Sequence, residues 1–198
     1  CELGRYMMST QAQACLMCPE GRFGDQKALE CAAFCVNDCK ACSKGTFQIL
    51  DGQTSIESCS DCQAGKYSDI DGLPTNTCKL CGKGKYNPSL GSKEETRCLL
   101  CDIGRYSDIK GVTSSTACKN CSFGEYSDEL GLASSARCKK CQTGKVGRLA
   151  GLTRESLCEP CPVGAYSDVE GIVHFEACTK CPSGTWSNLT GQDEIDDC

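Results

Sequence analysis

Apolar bulk is what this 198-residue chain lacks. Leu, Ile, Val and Phe together number 33, about 17% of the residues, which is too little for a chain this long to build one conventional core. A single globular enzyme domain of this size is therefore excluded. One Trp and one His are present, and the lone His174 stands beside Phe175, so the side chain most used for general base catalysis is all but missing. No run approaches the roughly 18 consecutive apolar residues of a transmembrane helix, so no membrane span is expected within this stretch. An excess of one charge is also absent. The 21 Lys and Arg residues face 26 Asp and Glu, a net charge of -5 that gives no general attraction for nucleic acid or an anionic membrane. There is no signal-peptide pattern, and the opening Cys1 reads as a processed or partly observed chain.

What the chain has in quantity is cysteine, 22 residues, a density that belongs to disulfide scaffolds and argues against disorder. Pairs of the form C-x-x-C begin at Cys15, Cys39, Cys59, Cys78, Cys98, Cys118, Cys138, Cys158 and Cys178. From Cys39 onward the steps are 19 or 20 residues, and Cys198 falls one further period after Cys178, so the array is a tandem repeat. Each unit starts at the second cysteine of a pair and reads C-x-x-G-x-aromatic-S-D, then a second Gly, a Ser/Thr-rich stretch and the next pair. The first Gly recurs in all ten units, from Gly4 to Gly184. Nine of the ten carry an aromatic ring two residues later, the exception being Val146.

The pattern reads as a small β-hairpin. Gly before the ring allows a positive φ or a close approach, and the ring then covers a disulfide as a miniature core. Ser-Asp, as at Ser68-Asp69, Ser107-Asp108, Ser127-Asp128 and Ser167-Asp168, starts a turn because short polar side chains bond the backbone just ahead. The second Gly closes that turn, and the Ser/Thr stretch is expected to return as the second strand. The expected fold is a small disulfide-rich one, mostly β and irregular, with tandem hairpin modules of about 20 residues stacked into an elongated rod. Residues 1–41 read as divergent cysteine-rich units, with two extra cysteines and a helical turn expected over Asp25 to Phe34. Residues 42–198 read as eight regular repeats, part of a longer array.

Three chemistries compete for C-x-x-C: redox catalysis, zinc and structural disulfides. Cys59, Cys62, Cys78 and Cys81 have zinc-ribbon spacing, but four-cysteine sites would use repeats in twos, 22 is not divisible by four, and one His cannot complete the count. Nine pairs without an α/β pattern make no thioredoxin-like enzyme. Disulfides consume every cysteine under one rule, in which the second cysteine of each pair bonds the first of the next. That gives Cys1–Cys15, Cys42–Cys59, Cys62–Cys78, Cys81–Cys98, Cys101–Cys118, Cys121–Cys138, Cys141–Cys158, Cys161–Cys178 and Cys181–Cys198, and the irregular region is taken as Cys18–Cys31 with Cys35–Cys39 left over. A crossed arrangement, Cys18 with Cys35 and Cys31 with Cys39, stays open. Each regular bond closes a loop worth roughly 3 kcal/mol in the chain-entropy model, and reduction should collapse the array.

Such bonds need an oxidising compartment, which places the protein outside the cell or on its surface. The sequon Asn188-Leu189-Thr190 agrees, lying in the turn region of its unit, so Asn188 is a candidate N-glycosylation site. Asn120-Cys121-Ser122 is a second formal sequon whose middle residue belongs in a disulfide, and Asn87-Pro88-Ser89 is excluded by its proline.

The unit C-x-x-G-x-Y-S-D followed by Gly and C-x-x-C resembles the ephrin-receptor-like cysteine-rich repeat, itself similar to the first submodule of tumour-necrosis-factor-receptor cysteine-rich domains. The resemblance covers Cys42 to Cys198 well and Cys1 to Ala41 loosely. It implies the pairing rule above. It also implies a place in receptor ectodomains, secreted matrix-like proteins or surface proteins resembling flagellar-hair subunits. Departures sit at Val146-Gly147-Arg148 and at Asn87-Pro88, where the hairpin tip is in question.

No catalytic residue, metal site or cofactor is expected. One aspartate per unit is too few for calcium, and turn capping is the reading taken for Asp69, Asp108, Asp128 and Asp168. The acidic stretch from Asp193 to Asp197 reads as a solvated return strand. Lys79, Lys119 and Lys139 alternate with the turn aspartates, one period per unit, which can register neighbouring rods or simply keep the surface soluble. The leading functional reading is a structural extracellular protein, a stiff rod that builds or decorates a fibre through self-association or other protein partners. The alternative is a receptor-type ectodomain that binds a ligand through its atypical units, and a zinc-binding intracellular adaptor is a third class.

Overall fold

The computed structural model describes residues 1–7, 14–27 and 39–198. They form two units, Cys1–Cys81 with Asn87–Leu99, and Gly82–Tyr86 with Leu100–Cys198. In each, the chain is a succession of modules named here by their first cysteine.

The Cys101 module shows the plan. Its two-residue strand Arg105–Tyr106 pairs antiparallel with Lys119–Asn120, in the register Arg105 opposite Asn120 and Tyr106 opposite Lys119. The second strand is thus the pair of residues between the cysteines of C-x-x-C, not the Ser/Thr stretch. That stretch is instead a 3-10 turn, Ser115–Ala117, closed where the Cys118 N–H donates to the Ser115 carbonyl (3.1 Å). Small polar residues favour such a turn because their side chains compete with an extended ladder. The acidic stretch near Asp197 behaves likewise: it is a 3-10 turn, Ile195–Asp197, rather than a strand, with the Glu194 N–H donating to the Asp197 carboxylate (3.2 Å). Because the residues inside C-x-x-C are strand residues, the modules have no linker.

Ten disulfides join the described cysteines. From Cys42 on, each runs from the second cysteine of one pair to the first of the next, across 16 or 17 residues. In the divergent region Cys18 bonds Cys39, with Cα atoms 5.6 Å apart, and not Cys31 or Cys35. Cys39 is accordingly not the partner of Cys35. The reason is the hairpin: Arg22–Phe23 pairs with Lys40–Ala41, which sets Cys39 in the place that every other module gives to its closing cysteine. The insertion lengthens the loop and leaves the clasp alone. Cys31, Cys35 and most of the helical turn expected over Asp25 to Phe34 lie outside the described residues.

Within each unit a set of four backbone hydrogen bonds recurs between successive modules. Between the Cys101 and Cys121 modules, the Gly104 N–H donates to Ser127 O (2.8 Å), Cys121 N–H to Gly104 O (2.9 Å), Ser107 N–H to Leu132 O (2.9 Å) and Gly131 N–H to Cys101 O (2.8 Å). In the other unit, Gly45 to Ser68, Cys62 to Gly45, Gln48 to Leu73 and Gly72 to Cys42 repeat the set. Tyr106 and Leu132 form a parallel bridge, as do Phe47 and Leu73. The aromatic ring therefore covers the disulfide of the following module, not its own. Tyr126 packs with Cys141, Cys158 and Leu152, and Phe47 packs with Cys62, Cys78 and Leu73.

Contact also reaches two modules on. Gly104 has φ +74, and a Cβ there would come within 2.9 Å of the Gly151 carbonyl carbon, so both its backbone conformation and its neighbour demand glycine. Gly45 stands in the same relation to Gly91.

Candidate functional site

The candidate functional surface is the face that successive modules repeat. The Ser after the ring is buried and holds the loop ahead of it. Ser107 is 2% exposed, and the N–H of Ile109 donates to its Oγ (3.4 Å). At the departures other side chains take over. Asn87, 1% exposed, accepts from the Ser89 N–H through Oδ1 (3.1 Å) and donates to Ser92 Oγ (2.8 Å), while Gln48 Oε1 accepts from the Leu50 N–H (2.9 Å). The tip at Asn87-Pro88 is thus built by a longer amide in place of the hydroxyl.

The turn aspartates face the lysines of their own module. Asp69 meets Lys79 at 2.8 Å, Asp108 meets Lys119 at 3.0 Å, Asp128 meets Lys139 at 2.6 Å and Asp25 meets Lys40 at 2.7 Å. The lysine's hydrogen bond holds the carboxyls of Asp69, Asp108 and Asp128 below their ordinary value, and the same bond raises Lys79, Lys119 and Lys139. The alternation of charge is therefore largely compensated inside these modules, while Asp168, whose module has Thr179 at the lysine position, forms no such bridge among the described residues. The Cys141 module, which lost the Ser-Asp motif, keeps the bridge with its signs exchanged: Arg148 takes the aspartate's place and Glu159 the lysine's, 3.4 Å apart. Glu159 was not singled out by the sequence reading, although its position 20 residues after Lys139 carried the signal. Val146, fully buried, replaces the ring in that module and packs on Cys161, Cys178 and Ile172.

At or just past the bridge position, six of the loops expose an aliphatic side chain. Ile70, Ile109, Leu130, Leu149, Val169 and Leu189 are all more than half exposed. Asn188 occupies the aspartate position of the Cys181 module and is exposed, as are Leu189 and Thr190. His174 is exposed at the start of the 3-10 turn Phe175–Ala177, where its backbone carbonyl accepts from the Ala177 N–H (3.1 Å). Among the described residues no group of three or more His, Cys, Asp or Glu could hold a metal ion, and no helix is long and apolar enough to cross a membrane. Every described cysteine is in a disulfide and has no thiolate to offer zinc.

The sequence model of the family described as tyrosine-protein kinase ephrin type A/B receptor-like matches residues 147–198, which hold the Cys161 and Cys181 modules and most of Cys141. No curated protein matches the chain. The matched segment is ephrin-receptor-like, and disulfide-bonded hairpin modules of the same plan repeat through both units, so the chain is a cysteine-rich repeat array similar to that family.

Proposed function

We propose that the chain is a structural extracellular or cell-surface protein, a stiff non-catalytic rod of repeats that builds or decorates a fibre. The observation that carries this reading is the sameness of the joints: within each unit one module passes the same backbone hydrogen bonds to the next, with no linker at which to hinge. A fibre needs equivalent units. The disulfides suit an oxidising, extracellular setting. The exposed aliphatic side chain that six loops share, beside a neutralised ion pair in most of them, offers a repeated contact with the period of the module. The receptor alternative placed its contact partly at the Val146 module, and that module keeps its strand pairing and its bridge.

Electron microscopy of the native material tests the proposal. Ordered filaments with an axial repeat commensurate with the module spacing are expected. Isolated monomers that capture a protein ligand would overturn it.

A further inference from the structure

We propose that Asn188 carries an N-linked oligosaccharide and that Asn120, which also stands in a formal sequon, does not. The inference rests on the extracellular reading above and adds a covalent modification at a defined loop. Three observations select Asn188. The loop is fastened on both sides of it, by the Leu189 N–H donating to the buried Ser187 Oγ (3.3 Å) and the Gly191 N–H donating to Cys161 O (2.9 Å). Asn188, Leu189 and Thr190 project between these anchors, all exposed, and the side chains of Asn188 and Thr190 take no partner among the described residues. The position also stays open inside the array, since the equivalent Asp108 and Asp128 side chains are 46% and 53% exposed with a further module stacked after them. In most modules this position is occupied by one half of an ion pair. Here it is a neutral amide, free to react.

Asn120 is held differently. It lies in the strand opposite Arg105, between Lys119 and the fully buried Cys121, which is bonded to Cys138. Asn120 is itself exposed, but its Cγ lies 3.1 Å from where a Cβ on Gly151 would be, so one side of its side chain rests against the module two further on. A glycan on that amide would crowd the Cys141 module against its neighbour.

The step is a group transfer from a lipid-pyrophosphate-linked oligosaccharide, catalysed by an oligosaccharyltransferase that reads the Thr190 hydroxyl. The Asn188 Nδ2 bonds to the anomeric carbon of the first sugar. The anomeric C–O bond to phosphate breaks, the lipid pyrophosphate leaves with the electron pair, and Nδ2 gives up one proton.

The test is secretion of the chain from a eukaryotic host, with intact mass before and after peptide N-glycosidase, peptide mapping and a thiol count. One glycan at Asn188 is expected, lost completely in Asn188→Gln and Thr190→Ala, retained in Thr190→Ser and unchanged in Asn120→Gln. Secreted, thiol-free chain that lacks a glycan, or carries it on Asn120, overturns the assignment and leaves the compartment standing. Retention inside the cell with free thiols overturns both.

Discussion

Arg148 and Glu159 meet at 3.4 Å across the Cys141 module with the charges reversed from Asp128 and Lys139, which meet at 2.6 Å one module earlier. The bridge is thus a property of two positions and not of two residue types. Arg148→Asp alone, facing Glu159, and Glu159→Lys alone, facing Arg148, should each lower the melting temperature slightly, and the double exchange should recover it. Both partners are about half exposed, so the effect is modest and should vanish in high salt, where exposed charges are screened. Equal stability of all four proteins at low salt would refute the pairing.

The Asp–Lys bridges set a pH window. Asp69, Asp108 and Asp128 lie below their ordinary 3.8, so their contribution is complete above that value and is lost as pH falls through the lower folded one. Lys79, Lys119 and Lys139 lie above their ordinary 10.5, so their contribution is complete below that value and is lost as pH rises through the higher folded one. Thermal unfolding across pH should show this contribution at its full extent in the neutral range and weaker at both extremes. Lys119→Met should remove the largest part of the acid-side dependence that belongs to Asp108, and an unchanged acid limb would count against the bridge.

Two glycines with similar positive φ separate conformation from contact. A Cβ on Gly104 (φ +74) would run into the Gly151 backbone, whereas one on Gly72 (φ +69) would meet only the Ala41 Cβ at 3.4 Å and the Gly21 carbonyl oxygen at 3.6 Å, ordinary contact distances. Gly72→Ala should cost about 1 kcal/mol, the backbone penalty alone. Gly104→Ala should cost more than about 2 kcal/mol and should weaken hydrogen-exchange protection around Gly151 as well as locally. Equal costs would mean that the two-module contact carries no weight.

Proteolysis without reduction should release Cys18 linked to Cys39, and a peptide joining Cys18 to Cys31 or Cys35 would contradict the structure. Replacing Cys18 and Cys39 together by Ala should destabilise this module by roughly 3 kcal/mol.

The period, the ten glycine positions and the hairpin character of the unit were legible in the sequence, because each depends on one residue type at one phase. Neighbours were not. Tyr126 stands at the same phase whether it covers the Cys121–Cys138 bond or the Cys141–Cys158 bond, and only the structure shows that it covers the second. A periodic chain fixes positions modulo its repeat and leaves open which copy supplies the partner. The same ambiguity hid the approach of Gly104 to Gly151. The pairing of Cys18 escaped for another reason: the nearest available cysteine, Cys31, closed the shorter loop, while strand pairing of Phe23 with Lys40 favoured Cys39. At the loop face, the exchange of Arg148 and Glu159 was written in the sequence but visible only once both positions were known to touch.

The clasps also decide how the chain responds to being pulled. With Cys101 bonded to Cys118 at a Cα separation of 6.0 Å, tension bypasses the loop between them and falls only on the three steps from Cys118 to Cys121. Those steps reach about 10 Å when fully drawn out, so a module torn from its neighbours lengthens to about 16 Å, against roughly 70 Å for the same 20 residues without the bond. Most of the contour is locked away from load, and a module cannot lengthen beyond that limit until its sulfur bridge itself gives.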